Sequence, residues 1–280
     1  MERIRYTTVL KAAGFALCFW LAACTDEQLL SEMRPLEIEA VIPAQTKADL
    51  GASSLEKTAF VNDDSIKVVL SGGSDTASYK YDLANGRWLP KTGTGLSTTG
   101  NQTFIASWRP DGFTGILADQ TTVGNYQKSI QLTDTATAMA NLVQFRFAPA
   151  ATKITIIVTY TDDNSSDGSA KLEGDHLLDA TGTGQIVNFY AATNSGKKHT
   201  FVGVVYPGTG KTYTISVASK ASTATTTTTK TYTQSSKELK AGYNYTYNFT
   251  TDNRALLILN NVTVNDFVDD NTTPPVGDAT

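Results

Sequence analysis

The feature that most constrains this chain is its short-range alternation of apolar and polar residues. After residue 35, runs of β-branched and aromatic residues are separated by clusters of Gly, Asn, Asp and Ser, and no segment sustains a helical period. In residues 36–42 the alternation puts Leu36, Ile38, Ala40 and Ile42 on one face, which we expect to be buried. The pattern predicts an all-β protein of sandwich or barrel type.

The other predicted strands divide into two series. The Asn85-Gly86 pair predicts a tight hairpin, and the polar segment 161–168 predicts an exposed loop. A break between residues 130 and 140 gives two β-sandwich domains, 36–135 and 136–270, followed by a disordered tail at 271–280. The remaining strands are expected at 65–70, 79–83, 87–89, 103–108, 142–147, 153–160, 185–190, 200–206, 212–217, 243–249 and 255–264.

The N-terminus has the features of an export signal. Three basic residues precede an apolar run at 12–23, which is too short for a transmembrane helix of about 20 residues but fits a signal peptide. The run ends in Leu21-Ala22-Ala23-Cys24, which resembles the lipobox of bacterial lipoproteins, where the cysteine is acylated and the chain is cut before it. We predict a signal peptide at 1–23, lipidation of Cys24 and a tether at 24–35. An ordinary signal peptide with a chance cysteine is the alternative.

Composition argues against several classes of function. A net charge of -4 over 280 residues gives no basis for nucleic acid as a partner. The two histidines form no Cys-His or Ser-His-Asp pattern, so neither an enzyme nor a bound cofactor or metal is predicted. Cys18 lies in the signal peptide, which leaves no intrachain disulfide in the mature chain. We interpret Trp88 and Trp108 as core residues rather than as platforms for sugars.

Three triplets resemble a bacterial O-glycosylation pattern. Each has an aspartate, then a hydroxyl residue, then an apolar residue: Asp64-Ser65-Ile66, Asp75-Thr76-Ala77 and Asp134-Thr135-Ala136. The pattern is short, so the sequence alone assigns it no role.

An ordered set of motifs carries a resemblance to a known family. Gln45-Thr46-Lys47-Ala48 follows the first strand, and Phe145-Arg146-Phe147 and Tyr206-Pro207 come later. The run 239–247 places Ala241-Gly242, which can turn the chain, before tyrosines that alternate along a strand, and Val262-Thr263-Val264 closes the set. Together with the lipobox, these motifs resemble the fimbrillin (Mfa-like) family of type V pilus lipoprotein precursors. The resemblance implies two tandem β-sandwich, transthyretin-like domains with antiparallel sheets.

The resemblance also implies assembly by donor-strand exchange. A trypsin-like protease removes the first strand of the precursor, and the vacated groove accepts a strand of the next subunit. Here the removable strand would contain Leu36, Ile38, Ala40 and Ile42, and the chain would be cut between Lys47 and Ala48. The family favours arginine at the cut; Arg34 is the alternative, but Pro35 follows it. The donor strand would contain Leu256, Ile258, Val262 and Val264, although these residues could equally form the last strand of their own domain.

The predicted function is therefore that of a structural subunit of a cell-surface fimbria that supports adhesion. Its partners would be other pilin subunits in a homo- or heteropolymer, the outer membrane through the lipid anchor, and host or bacterial surface ligands. The alternative is a monomeric surface lipoprotein that binds glycans or host ligands through its loops and tryptophans.

Overall fold

The computed structural model describes residues 33–43, 55–164, 168–221, 223–251 and 257–267, which belong to one compact unit, Met33–Thr280. Cys24, Lys47, Ala48, Leu256 and the predicted tail at 271–280 lie outside the described residues. The predicted all-β fold is confirmed, because the described elements are strands and one short helix, and none of the sheets closes into a barrel.

The elements, in chain order, are β1 (Arg34–Pro35), β2 (Glu37–Val41), β3 (Ser65–Leu70), β4 (Thr76–Asp82), β5 (Arg87–Pro90), β6 (Ser97–Thr98), β7 (Thr103–Trp108), α1 (Val123–Lys128), β8 (Leu132–Thr137), β9 (Leu142–Arg146), β10 (Ala148–Pro149), β11 (Thr152–Asn164), β12 (Ser169–Gly174), β13 (Gln185–Asn188), β14 (Tyr190–Val205), β15 (Gly208–Ser219), β16 (Thr228–Leu239), β17 (Tyr243–Thr251) and β18 (Leu257–Asp266).

A six-stranded antiparallel sheet forms one wall of the first core. Its order is β10-β8-β7-β3-β4-β5, and the hairpin from β4 to β5 turns at Gly86, whose φ of 62° favours glycine. Alternation buries Ile66 and Phe104 and leaves their neighbours on the outer face. Two small sheets pack with it: β2 pairs in parallel with β9, and β1 pairs with β6.

Two four-stranded sheets enclose the second core. One has the order β14-β11-β17-β18 and the other β13-β12-β15-β16. All of their pairs are antiparallel except β11 with β17, which run parallel. Ile156, Phe201, Tyr213 and Tyr247 are fully buried between the sheets. This arrangement is that of a sandwich.

The two cores are not separated at one point of the chain, because Val202, Val204 and Phe267 also pack in the first core. Ala151 belongs to the first core and Ile154 to the second. Strand β8 crosses the predicted boundary at 135/136 and packs in the first core through Leu132. The ranges 36–135 and 136–270 for two separate domains stay a prediction.

A glutamine side chain ties the segment before α1 to strand β14. Gln120 is fully buried, and its Oε1 accepts a hydrogen bond of 2.8 Å from the Val204 backbone N–H. Its Nε2 donates to the Val204 carbonyl at 2.8 Å and to the Leu117 carbonyl at 2.9 Å. The amide thus bonds both backbone groups of one residue of β14, as a neighbouring strand would.

The structure differs from the expectations at several elements, and strands β8, β12 and β16 are among those that were not predicted. Helix α1 was not predicted, because its six residues are too few for a detectable period; Thr122 caps it by accepting from the Asn125 N–H at 3.2 Å. Strand β11 continues to Asn164, into the segment predicted as a loop, where Asn164 pairs with Gly196. No helix in the described part of the chain is long and apolar enough to cross a membrane.

Candidate functional site

The backbone of β2 is held along one edge and at its ends. Residues 37–41 pair with residues 142–146 of β9 in parallel register. The Leu36 N–H donates to the Leu96 carbonyl at 2.8 Å, and the Phe147 N–H donates to the Val41 carbonyl at 2.9 Å. The two-stranded sheet gives β2 no partner on its other edge within the described residues. Loss of β2 would therefore leave one edge of β9 without its neighbour.

The side chains of β2 alternate between the first core and solvent. Leu36, Ile38 and Ile42 are buried, and Ala40 is half-buried against the same core. Val41, by contrast, is 52% exposed. Val143 and Phe145 of β9 are fully buried in the same core. The four residues predicted for the removable strand therefore lie together and contribute to one apolar core.

The C-terminal strand β18 lies at the edge of its sheet. It pairs with β17, and a bulge at Asn260 reverses its alternation, because Phe249 pairs with Leu259 whereas Asn248 pairs with Asn261. Val262 and Val264 pack against the second core, as do Leu257 and Leu259. Ile258 is 45% exposed. The predicted donor residues that the structure describes therefore lie on both faces of one strand.

A buried ammonium group joins three distant segments. Lys153 Nζ lies 2.5 Å from Glu56 Oε1, with the lysine and glutamate side chains 9% and 5% exposed. The Tyr126 hydroxyl donates to the same carboxylate oxygen at 2.7 Å, and the Phe267 ring lies 5.3 Å from Nζ. Burial, reinforced by the Glu56 carboxylate, raises the pKa of Tyr126 well above its usual value, which keeps this donor protonated. We call these four residues the Lys153 cluster.

The Lys153 cluster brings together the two regions that the sequence singled out. Glu56 follows the segment that contains Lys47, and Phe267 ends the described part of the C-terminal strand. Gln127 donates to the Leu55 carbonyl at 3.0 Å and adds a further tie to helix α1. The segment at 55–56 is thus fixed to α1 and to β11.

A histidine is buried without a polar partner in the second core. His199 is 0% exposed, and neither of its ring nitrogens has a hydrogen-bond partner among the described residues. Its ring packs against Tyr160 at 4.9 Å and against Phe201 at 6.2 Å. Burial lowers the pKa of His199 below its usual value of 6.5. The folded chain therefore disfavours the imidazolium.

The free energy of unfolding is expected to fall as the pH drops below about 6.5. In that range the unfolded chain binds a proton on His199 that the folded chain does not. This lowers the free energy of unfolding by up to about 1.4 kcal/mol per pH unit. Above pH 6.5 neither the folded nor the unfolded chain binds this proton, so His199 no longer makes the free energy of unfolding depend on pH. When urea unfolding is measured from pH 5 to pH 8, the slope of the free energy of unfolding against pH should be smaller for His199→Phe than for the wild type. In the control, His176→Asn, an exposed site with φ of 57° that asparagine tolerates, the slope should persist. An unchanged slope in His199→Phe would contradict this.

The two tryptophans are engaged in the fold. Trp88 is buried and stacks edge-on against Phe60 at 5.0 Å. Trp108 is half-buried, donates to Asp64 Oδ1 at 3.1 Å and lies 4.8 Å from the Lys57 ammonium. Neither presents the open ring face that a sugar platform needs. Over the described residues, no group of three or more His, Cys, Asp and Glu residues could hold a metal ion.

Comparisons with known proteins give similarity of structure. No protein-family model matches the chain, and no curated protein matches it by sequence. A crystal structure of a candidate cell adhesion protein from Bacteroides ovatus aligns with a TM-score of 0.53 at 17% identity, covering 85% of this chain and 99% of the other. A candidate cell adhesion protein from Bacteroides eggerthii gives 0.47 at 11% identity, covering 84% and 97%. The fimbrial anchor protein Mfa2 from Porphyromonas gingivalis gives 0.38 at 9% identity, covering 84% and 99%.

Only the first of these scores exceeds 0.5, and its identity is low, so it establishes a common fold and nothing finer. The predicted all-β sandwich fold is confirmed at this level. This chain shares the fold of the candidate cell adhesion protein of Bacteroides ovatus.

Proposed function

We propose that this chain is a structural subunit of a cell-surface fimbria of the fimbrillin (Mfa-like) family and that the fimbria supports adhesion. The subunit is exported as a lipoprotein and held in the outer membrane by a lipid on Cys24. Its partners are other pilin subunits, in a homo- or heteropolymer, and the assembled fimbria meets host or bacterial surface ligands. The fold shared with the candidate adhesion protein of Bacteroides ovatus supports this role.

The observation that carries the proposal is the placement of β2. Among the residues that the structure describes, the strand has a single backbone neighbour, β9, and it buries Leu36, Ile38 and Ile42 in the first core. Burial of each such side chain contributes about 1.5–3 kcal/mol to the free energy of unfolding. The groove that β2 would leave in the first core is therefore unfavourable while it is empty. Another strand with the same alternation could pair with the vacated edge of β9 and fill this groove with its apolar side chains.

The proposed cut lies just after this strand. Lys47 stands between β2 and the anchored segment at 55–56, so cleavage of the Lys47–Ala48 bond would free β2 from the rest of the chain while the Lys153 cluster keeps the following segment in place. Arg34 precedes Pro35, which resists tryptic cleavage, and a cut there would leave β2 attached.

The proposed donor is the C-terminal strand. It is an edge strand with Leu257, Leu259, Val262 and Val264 facing the second core, so it has the apolar residues that the groove requires. To donate, it would have to leave β17, to which it is paired from Leu257 to Asp266. The competing interpretation, that β18 stays as the last strand of its own sheet, predicts that the same pairing persists in the polymer.

Limited trypsin treatment of the detergent-solubilised precursor tests the assembly step. We expect the wild-type chain to give a body that begins at Ala48 and forms SDS-resistant oligomers. Lys47→Ala should stay uncut at this bond and monomeric, because no basic residue then directly precedes Ala48. Arg34→Ala, the matched control, should behave as the wild type. A cut body that stays monomeric, or oligomers formed equally by Lys47→Ala, would refute the proposed route.

Lipidation has its own test. Cys24→Ala lacks the thiol that accepts the acyl chain, so we expect it to leave the detergent phase in Triton X-114 partitioning, where the wild-type precursor stays. Equal partitioning of the two proteins would contradict an anchor at Cys24.

A further inference from the structure

We propose that Thr76 is a site of O-linked glycosylation. The chain contains three Asp-Ser/Thr-apolar triplets of the kind described above, and all three lie in the six-stranded sheet of the first core. Ser65 is in β3, Thr76 in β4 and Thr135 in β8. The third residue of each triplet, Ile66, Ala77 or Ala136, packs on the core. Because successive residues of a strand point to opposite faces, all three hydroxyl residues lie on the outer face of the sheet.

Two of these residues stand in one row across four strands. Thr76 pairs with Val69, Val69 with Ile105, and Ile105 with Thr135. At about 4.8 Å per strand, Thr76 and Thr135 are roughly 14 Å apart. Between them lie Val69, which is half-buried, and Ile105, which is 41% exposed. A sugar on Thr76 would lie beside this apolar pair and reduce its contact with water.

Thr76 is an exposed acceptor, as Thr135 is, whereas Ser65 is half-buried. Thr76 and Asp75 are both exposed, and the Thr76 hydroxyl has no hydrogen-bond partner among the described residues. The outer edge of β4 is open at this point, because β5 pairs only with residues 79–82 and the last backbone bond runs from the Lys91 N–H to the Ser78 carbonyl. An enzyme can therefore approach the extended backbone from the side as well as from the face.

The aspartates of the other two triplets already interact with other residues of the folded chain. Asp64 Oδ2 lies 2.8 Å from Lys57 Nζ, and Asp134 Oδ2 accepts from the Arg146 N–H at 2.7 Å. Among the three triplets, a transferase that recognises a free carboxylate next to a hydroxyl finds this pair only at Asp75-Thr76. This difference is why we place the modification at Thr76.

The chemistry is a glycosyl transfer from an activated sugar diphosphate. Thr76 Oγ1 forms a bond with the anomeric carbon, the bond between that carbon and the phosphate oxygen breaks, and the diphosphate leaves with the electron pair. The hydroxyl proton passes to a base on the transferase. The protein contributes the exposed hydroxyl, the neighbouring carboxylate and an extended backbone.

Mass spectrometry of the chain isolated from the bacterium that produces it tests the proposal. The tryptic peptide 68–80 contains Thr76, and we expect it to be heavier than its sequence by a whole number of sugar residues. Fragmentation by electron transfer should place the added mass on Thr76. Thr76→Ala and Asp75→Asn, both at exposed positions, should each lose it.

The matched control is Ser78→Ala. Ser78 lies two residues further along the same strand, on the same face and exposed, but Ala77 precedes it, so the added mass should persist. A peptide of unmodified mass from the native source would overturn the proposal. So would an added mass that survives in Thr76→Ala or disappears in Ser78→Ala.

Discussion

Replacing Ile38 by aspartate is expected to lower the free energy of unfolding by about 3–5 kcal/mol and to detach β2 from the first core. Ile38 is buried in the first core beside Val143, with which it is in register, so the new carboxylate would lie among apolar side chains. The substitution also removes the apolar burial that holds a strand with a single backbone neighbour. The amides of β9 should then exchange with solvent much faster, because their partner strand is gone.

Val41→Asp is the matched control, since it adds the same charge to the same strand at an exposed position. We expect its free energy of unfolding to stay within about 0.5 kcal/mol of the wild type. Urea unfolding and hydrogen exchange of residues 142–146 measure both effects. Equal stabilities for the two variants would mean that β2 is not held by its side chains, and the removable-strand proposal would lose its physical basis.

Lys153→Met is expected to lower the free energy of unfolding by about 3–5 kcal/mol. It leaves the Glu56 carboxylate buried, with the Tyr126 hydroxyl as its one remaining partner among the described residues. Methionine fills a similar volume, so lost packing contributes little. The segment at 55–56 should detach from the core more often, because the unpaired Glu56 carboxylate is more stable in water than in a buried site. Hydrogen exchange should therefore increase at Leu55 and Glu56 before the rest of the first core.

Two further variants separate charge from packing. Lys153→Met combined with Glu56→Gln removes both charges, and we expect it to recover at least half of the loss. Lys171→Met breaks an exposed pair, Lys171 with Glu173 at 3.3 Å, and should change the stability by less than about 1 kcal/mol. If Lys153→Met were as mild as Lys171→Met, the Lys153 cluster would not act as a buried ion pair.

Strands with strong contrast between their faces could be predicted closely from the sequence. The predicted ranges 65–70 and 103–108 are the observed β3 and β7, since each presents apolar residues to the core at every second position. Strand β8 was missed because its inward residues after Leu132 are Asp134 and Ala136, which give little contrast with the threonines between them. Strand β16 is an edge strand whose inner face is also largely polar.

Which strands are neighbours could not be predicted. Alternation identifies the buried face of 36–42, but the choice of β9 as its parallel partner depends on the path of the whole chain. The Lys153 cluster was missed for a related reason. Glu56 and Lys153 are 97 residues apart, so no local spacing links them, and a lysine at the start of a strand usually indicates an exposed position.

The Gln120 side chain has a consequence for solubility. Strand β14 forms one border of its sheet, and a border strand normally offers its free N–H and C=O groups to any other chain, which is a common start of aggregation. At Val204 both groups are already satisfied by one amide. Because Val204 is also buried, copies of the chain at high concentration find no free backbone group at this part of β14 with which to start disordered association.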